Sequence, residues 1–206
     1  MATEQSTWVE CAEVAHLHTT SGHTITIDAA DLHLVGEWRW QVSAANPDAP
    51  HLLYASRTYA VRDEHGKRHP AMLYMHRCIL GAGRGQVVDH INGNGLDNRR
   101  VNLRLCTMSE NQGNRPMNRN NPSGYKGVKA TRHGTHMACI TRAGKRIYLG
   151  SYADVEDAAR AYDAAARAQF GAFACVNFPA PGERSARTGA VHASTTGDDH
   201  ATAGTA

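Results

Sequence analysis

Apolar and polar positions alternate in short bursts through the first half of the chain. Gly22-His-Thr-Ile-Thr-Ile-Asp28 sets Ile25 and Ile27 on one face of an extended segment, the period of a half-buried strand. Trp38 and Trp40 flank Arg39 in the same way, and Leu53 to Val61 reads as a further strand. Tyr74-Met-His-Arg-Cys-Ile-Leu80 is apolar enough to be buried and ends at Gly81-Ala-Gly-Arg-Gly85. That glycine-rich run lacks the Lys-Ser/Thr of a phosphate loop and is expected to be a connector. Gln86-Val-Val-Asp-His90 predicts a short strand running into Ile91-Asn-Gly-Asn-Gly95, whose Asn-Gly pairs demand a compact loop. Val101 to Cys106 alternates again, and Thr107-x-x-Glu110 is a capping-box signature that starts a helix carrying Asn111 on its first turn.

Beyond a polar, proline-punctuated stretch from Arg115 to Gly124, three more strands are predicted: Tyr125–Arg132, His136–Arg142 and Lys145–Tyr152, turning at Gly134 and Gly144. Asp154 then caps an alanine-rich helix from Val155 to about Phe170, stopped by Gly171. Val155, Ala158 or Ala159, Tyr162 and Ala165 or Ala166 share one helical face. Small alanines there let the helix lie close against a sheet. From about Pro179 the chain turns to Ala, Thr, Gly, Ser and Pro, a composition expected to be disordered.

Charge changes this picture more than composition does. The 206 residues carry a net charge of only +3. Residues 1–64, however, hold nine acids and three bases, whereas 98–146 hold eleven bases, seven asparagines and a single acid, Glu110. A field of that kind attracts polyanions, and neutralising phosphates supplies most sequence-independent DNA affinity. Five scattered cysteines form no C-x-x-C pair and no zinc spacing, which argues against a disulfide framework or a zinc finger. No apolar run approaches the roughly 20 residues of a membrane helix, and the N-terminus lacks the order of a signal peptide. An intracellular, cytoplasmic protein with no membrane partner and no small-molecule cofactor is expected.

One cluster offers chemistry. Hydrolysing a phosphodiester needs an activated water, charge neutralisation at the phosphate and help for the leaving oxygen, which a divalent metal with a nearby imidazole supplies. Asp89 and Asn111 offer the hard oxygens that suit Mg²⁺ or Mn²⁺. His90 titrates near neutrality and can be the base, and Asn102 can fix its ring or its loop. Singly, each has a bland explanation as a turn carboxylate, a solvated imidazole, a backbone-satisfying amide or a surface amide. Together, inside a strand–loop–strand–helix unit within a basic segment, they point to one site.

Val88-Asp-His-Ile-Asn-Gly-Asn94, Leu96-Asp-Asn-Arg-Arg-Val-Asn-Leu-Arg104 and Ser109-Glu-Asn-Gln-Gly-Asn114 closely resemble the HNH homing endonucleases, of the subset with Asn in the last two signature positions. Tyr74-Met-His-Arg77, Gly22–Asp28 and Tyr54–Ala55 resemble the N-terminal part of the same proteins, so the resemblance spans roughly residues 20–115. It implies a ββα-metal nuclease site. In that site His90 is the general base, Asp89 and Asn111 are metal ligands and Asn102 orients His90. His76, Arg77 and Arg104 match family positions and are expected to be phosphate contacts or structural residues. Adjacent strand residues point to opposite faces, so Asp89 and His90 share a phosphate only if the strand breaks between them.

Ser123-Gly-Tyr-Lys-Gly-Val128, Gly144-Lys-Arg-Ile-Tyr-Leu-Gly150, Ala158-Ala-Arg-Ala-Tyr-Asp163 and Asn177-Phe-Pro179 look like the plant ethylene-response-factor (Apetala-two) DNA-binding domain. Versions of that domain accompany HNH nucleases in phages and other mobile elements, which makes a phage origin one expectation. The resemblance implies a three-stranded sheet in the major groove, braced by a helix, with Lys126, Lys129, Arg132, Arg142, Arg146 and Tyr148 on the DNA-facing side. His136 replaces a usual Trp, Cys139 a Glu, and lysines stand where the plant domain has arginines. Lys lacks the bidentate fork that reads guanine, so the plant target sequence does not transfer.

The expected fold is α+β. A segment 1–19 precedes a short-stranded β region and HNH module over 20–115. A linker, 116–122, leads to the DNA-binding domain, 123–179, and a disordered tail, 180–206. The expected function is metal-dependent endonucleolytic cleavage of double-stranded DNA, targeted by the C-terminal domain. A non-catalytic, sequence-specific DNA-binding regulator is the alternative. The sequence leaves target site, nick versus double-strand break, and monomer versus homodimer open.

Overall fold

In the computed structural model, residues 7–44 and 52–192 are described, and the chain divides into two units, 1–114 and 115–206. In the first unit, β1 (Trp8–Cys11), β2 (Val14–His18) and β3 (Thr24–Asp28) form an antiparallel sheet in that order. Ile25 and Ile27 of β3 are fully buried, as the alternation predicts, and join Leu17, Val35, Met75 and Ile79 in the core. A short helix, α1 (Leu32–Val35), follows. Trp38 and Trp40 lie not on a strand but in the irregular exit from α1. The reason is local: the Trp40 indole N–H donates to the Val35 carbonyl (2.9 Å), folding the chain back on itself, while the Arg57 guanidinium covers Trp38 at 4.6 Å.

A second antiparallel sheet orders β4 (Gln41–Ala44), β5 (Leu53–Arg62) and β6 (Arg68–Tyr74). The apolar Tyr74–Leu80 run becomes α2 (Met75–Leu80), which buries Met75, His76 and Ile79 and ends on Gly81 in the left-handed region (φ 60°). β7 (Val87–His90) pairs antiparallel with β8 (Leu103–Cys106), setting Asp89 opposite Arg104 and His90 opposite Leu103. The connecting loop docks on β3: Thr26 N–H donates to Leu96 O, and Asn98 N–H to Thr26 O (2.7 Å). The predicted capping box is present, with Thr107 Oγ1 accepting from Glu110 N–H and the Glu110 carboxylate from Thr107 N–H, and it opens α3 (Met108–Gly113).

The second unit orders β9 (Val128–Ala130), β10 (His136–Arg142) and β11 (Lys145–Tyr152) as β11-β10-β9, all antiparallel. α4 (Val155–Phe170) packs one sheet face, meeting Ala138 and Ile140 with Ala158, Ala159, Tyr162 and Ala166. Asp154 Oδ1 accepts from the Glu156 and Asp157 amides, the predicted N-cap. Gly127 permits the close approach: at φ 76° a Cβ there would run into the Tyr162 ring.

Residues 180–192, expected to be disordered, are folded. β12 (Cys175–Val176) pairs in parallel with β13 (Arg184–Ser185), and the Ala186 N–H donates to Val176 O (2.7 Å). Composition is a poor guide here, because backbone pairing and the Arg167–Glu183 ion pair (2.7 Å) hold the segment without large apolar side chains. Residues 1–6, 45–51 and 193–206, with the ends of the expected N-terminal segment and tail, lie outside the described residues. No helix among the described residues is long and apolar enough to cross a membrane.

Candidate active site

The β7–β8 hairpin presents two groups of side chains on its two faces. β7 continues without interruption through Asp89 and His90, so the strand break the sequence reading required is absent and the two side chains leave in opposite directions. On one face the buried Asp89 carboxylate receives Arg104 Nε (2.9 Å) and Nη2 (2.8 Å) on Oδ2, and Asn114 Nδ2 on both oxygens (2.8 Å). Asn114 also donates to the His90 carbonyl (3.2 Å), tying the end of α3 to the end of β7. Cys106 shares this face by register. Burial pushes its thiol up to about 11, with Asp89's charge adding, so it stays protonated beside the carboxylate.

On the other face His90 enters an aromatic cage. Its ring lies edge-on to His76 (5.0 Å) and 5.7 Å from Tyr54, while Tyr74 stacks on His76 at 5.4 Å. His90 Nε2 stands 3.3 Å from Asn98 Oδ1. An amide oxygen only accepts, so Nε2 is the donor in this contact. Burial, followed by the charges of His90 and Arg77, pulls His76 down to about 3. His76, expected as a phosphate contact or a structural residue, is a buried imidazole with Nδ1 unpartnered.

Asn102 serves the loop rather than the ring. Its Oδ1 accepts from Asn92 N–H (2.9 Å) and its Nδ2 donates to Asp97 O (2.7 Å). Asp97 in turn holds Arg99 through two contacts of 2.8 Å and accepts from Asn92 Nδ2 (3.0 Å). Burial acts to raise the Asp97 carboxyl, but Arg99's hydrogen bonds and charge outweigh it and hold it below the usual range. Asn111 sits half-buried on α3, and its side-chain amide forms no hydrogen bond among the described residues. Among the described residues no three His, Cys, Asp or Glu side chains cluster as a metal site. By chemistry alone the Asp89 carboxylate and the Asn111 amide offer hard oxygens, the donor type of Mg²⁺ or Mn²⁺, and here the Asp89 oxygens are occupied by Arg104 and Asn114.

Sequence reasoning missed Asn98 as the residue facing the His90 ring and Asn114 as the clamp on Asp89. Both stand in the segments that carry the nuclease resemblance, but an asparagine-rich stretch does not show which amide points where. Arg77 and Arg104, expected as phosphate contacts or structural residues, both bond within the first unit. Arg77 staples the glycine-rich connector through the carbonyls of Gln86 (2.7 Å), Ala82 (3.1 Å) and Gly83 (2.7 Å), and Arg104 is committed to Asp89.

In the second unit, strand register sorts the expected DNA-facing residues. Lys129 pairs with Met137, Arg146 with Thr141 and Tyr148 with Cys139, which puts Lys129, Arg146 and Tyr148 on the face away from α4. Arg142 falls on the opposite parity at the hairpin tip, beside the type I′-like turn of Ala143 (φ 47°) and Gly144 (φ 77°), and Arg132 lies in the β9–β10 turn. Lys126 is a correction. Its Nζ turns inward to the Arg115 carbonyl (2.7 Å) and the Cys175 carbonyl (3.3 Å), above the Tyr162 ring, and burial pulls it down to about 8.

The HNH endonuclease family model matches residues 74–112, the span from the end of β6 through most of α3. An uncharacterized HNH endonuclease of Acanthamoeba polyphaga mimivirus is 33% identical over 90 residues, 44% of this chain and 46% of its own. Ethylene-responsive transcription factor 3 of Nicotiana tabacum is 48% identical over 59 residues, covering 28% of this chain and 26% of the factor. An AP2-like ethylene-responsive transcription factor of Arabidopsis thaliana is 40% identical over 81 residues, 33% and 25% of the two chains. The chain thus spans about a quarter of each plant factor and just under half of the viral protein. No solved structure is significantly similar.

Proposed function

We propose that this chain, an HNH endonuclease module joined to an AP2/ERF-type segment, is a metal-dependent DNA endonuclease of the nicking or homing type, brought to duplex DNA by its second unit. One observation carries the reading. Within the matched span, a clamped carboxylate and an imidazole with one nitrogen held by an amide flank the last two residues of a single strand.

Asp89 and Asn111 would hold the divalent ion, and Arg104 with Asn114 keep the Asp89 carboxylate in one orientation. When bound, that ion supplies charge neutralisation at the phosphate and at the departing oxygen. His90 takes a proton from water while the water oxygen bonds to phosphorus and the bond to the 3′ oxygen breaks, leaving a 5′-phosphate and a 3′ oxyanion. The oxyanion takes a proton from solvent water to become the 3′-hydroxyl, and His90 returns its proton to solvent. No break separates Asp89 from His90, so the reading needs the phosphate to lie across the end of β7, which stops at His90, rather than across a break between the two residues. Asn98 holds the ring through Nε2, and the Asn102–Asn92–Asp97 network fixes the loop beside it.

Incubating a random-site plasmid library with Mg²⁺ or Mn²⁺ and sequencing the ends tests this. The expected ends are 5′-phosphate and 3′-hydroxyl, formed only without chelator. Ends bearing 3′-phosphate, or cleavage indifferent to chelator, contradict it. The likeness to plant transcription factors supports a second reading, a regulator that binds DNA and leaves it intact.

A further inference from the structure

The stretch 116–122, read from sequence as a linker, is strapped onto the second unit at both ends. Met117 N–H donates to Ala186 O (2.8 Å), Lys126 Nζ to Arg115 O (2.7 Å) and Asn121 Nδ2 to Tyr125 O (2.7 Å), while a turn closes through Asn121 N–H to Asn118 O (3.0 Å). The strap forms one wall of a groove whose other side carries Lys129 and Arg146 of the exposed sheet face. Asn118 and Asn120 line the same groove, are exposed, and form no side-chain hydrogen bond among the described residues. Neither cation forms an ion pair among the described residues, and no Asp or Glu occurs in the sequence between Glu110 and Asp154.

We infer that this strap is part of the DNA-binding surface: its free amides and the two cations grip the sugar–phosphate backbone of duplex DNA running along the groove. The chemistry selects that partner. Two cations with adjacent neutral donors and no carboxylate suit a phosphodiester chain, whose contacts divide between charge neutralisation and uncharged hydrogen bonds from Asn. A strap held at three points is also preorganised, so binding orders little new chain. The inference rests on the reading that the sheet face meets DNA, and it extends that surface to residues outside the sheet.

The test is fluorescence anisotropy of the full chain with mixed-sequence duplex oligonucleotides, in chelator and over a range of salt concentrations. Asn118→Ala with Asn120→Ala is expected to weaken binding about two- to tenfold per amide on every duplex while leaving the salt slope unchanged, since amides displace no counterions. Lys129→Ala with Arg146→Ala is expected to weaken binding and lower the log–log slope by about 2. Asn120→Asp, at an exposed side chain with no partner to lose, keeps the fold and is expected to weaken binding more than Asn120→Ala. Unchanged affinity in the Asn variants alongside weakened binding in the Lys/Arg variant overturns the strap and leaves the sheet reading standing. Unchanged affinity in all of them overturns both.

Discussion

His76 shows what a single side chain contributes once its surroundings are known. Burial holds it near 3, against 6.5 for a free imidazole. The unfolded chain therefore accepts a proton there that the folded chain refuses, and stability is lost as pH falls from about 6.5 toward 3. His76→Phe keeps an aromatic ring against His90 and removes the titration. It is expected to lessen the loss of stability between pH 7 and pH 5 by about 2 kcal/mol, read by chemical denaturation at the two pH values. An equally steep loss in the variant would assign the acid sensitivity elsewhere. Asn98 is the other decisive side chain. Asn98→Ala is expected to cut cleavage while leaving DNA affinity intact, because it frees the His90 ring without touching the second unit. Sequence indicated that the His90 ring needs an orienter but assigned the role to Asn102, four residues away. Only the geometry of the loop decides between two amides of equal chemistry.

Secondary-structure elements were legible wherever local rules suffice. The Thr107 capping box, the Asp154 cap, β10, β11 and α4 appear with the boundaries their patterns predict. Elements governed by distant contacts were not. The Trp38–Trp40 alternation imitates a strand but is folded onto Val35, and Pro-, Gly- and Ala-rich residues 180–192 are ordered by pairing with β12. Two elements carry testable weight. Thr107→Ala removes the cap and is expected to destabilise the first unit by about 1 kcal/mol, with cleavage falling further because Asn111 and the Asp89 clamp ride on α3. Gly127→Ala combines a left-handed backbone with a Cβ inside the Tyr162 ring. It is expected to cost about 3 kcal/mol or more, measured as a lowered Tm or as faster proteolysis of residues 115–192.

Across the whole chain, the structure redistributes the charge asymmetry of the sequence. Three bases of the 98–146 stretch are already neutralised in the first unit: Arg99 by Asp97, Arg100 by Asp31 and Arg104 by Asp89. Asp31 belongs to the acidic N-terminal stretch, so part of that asymmetry is an internal ion pair. The other eight bases fall between Arg115 and Arg146, in the second unit. That basic stretch is thus divided between the units, three of its cations ion-paired in the first and eight carried by the second. The Asp89, His90, Asn102 and Asn111 set that the sequence places in a basic segment belongs to the first unit, whereas most bases of that segment belong to the second. The central claim, that His90 and Asp89 cut DNA, is tested most directly by relaxation of supercoiled plasmid in Mg²⁺ or Mn²⁺, comparing the natural chain with His90→Ala and Asp89→Ala. The expected result is nicked or linear product from the natural chain and none from either variant, with duplex affinity retained in both. Cleavage that persists in His90→Ala would contradict it.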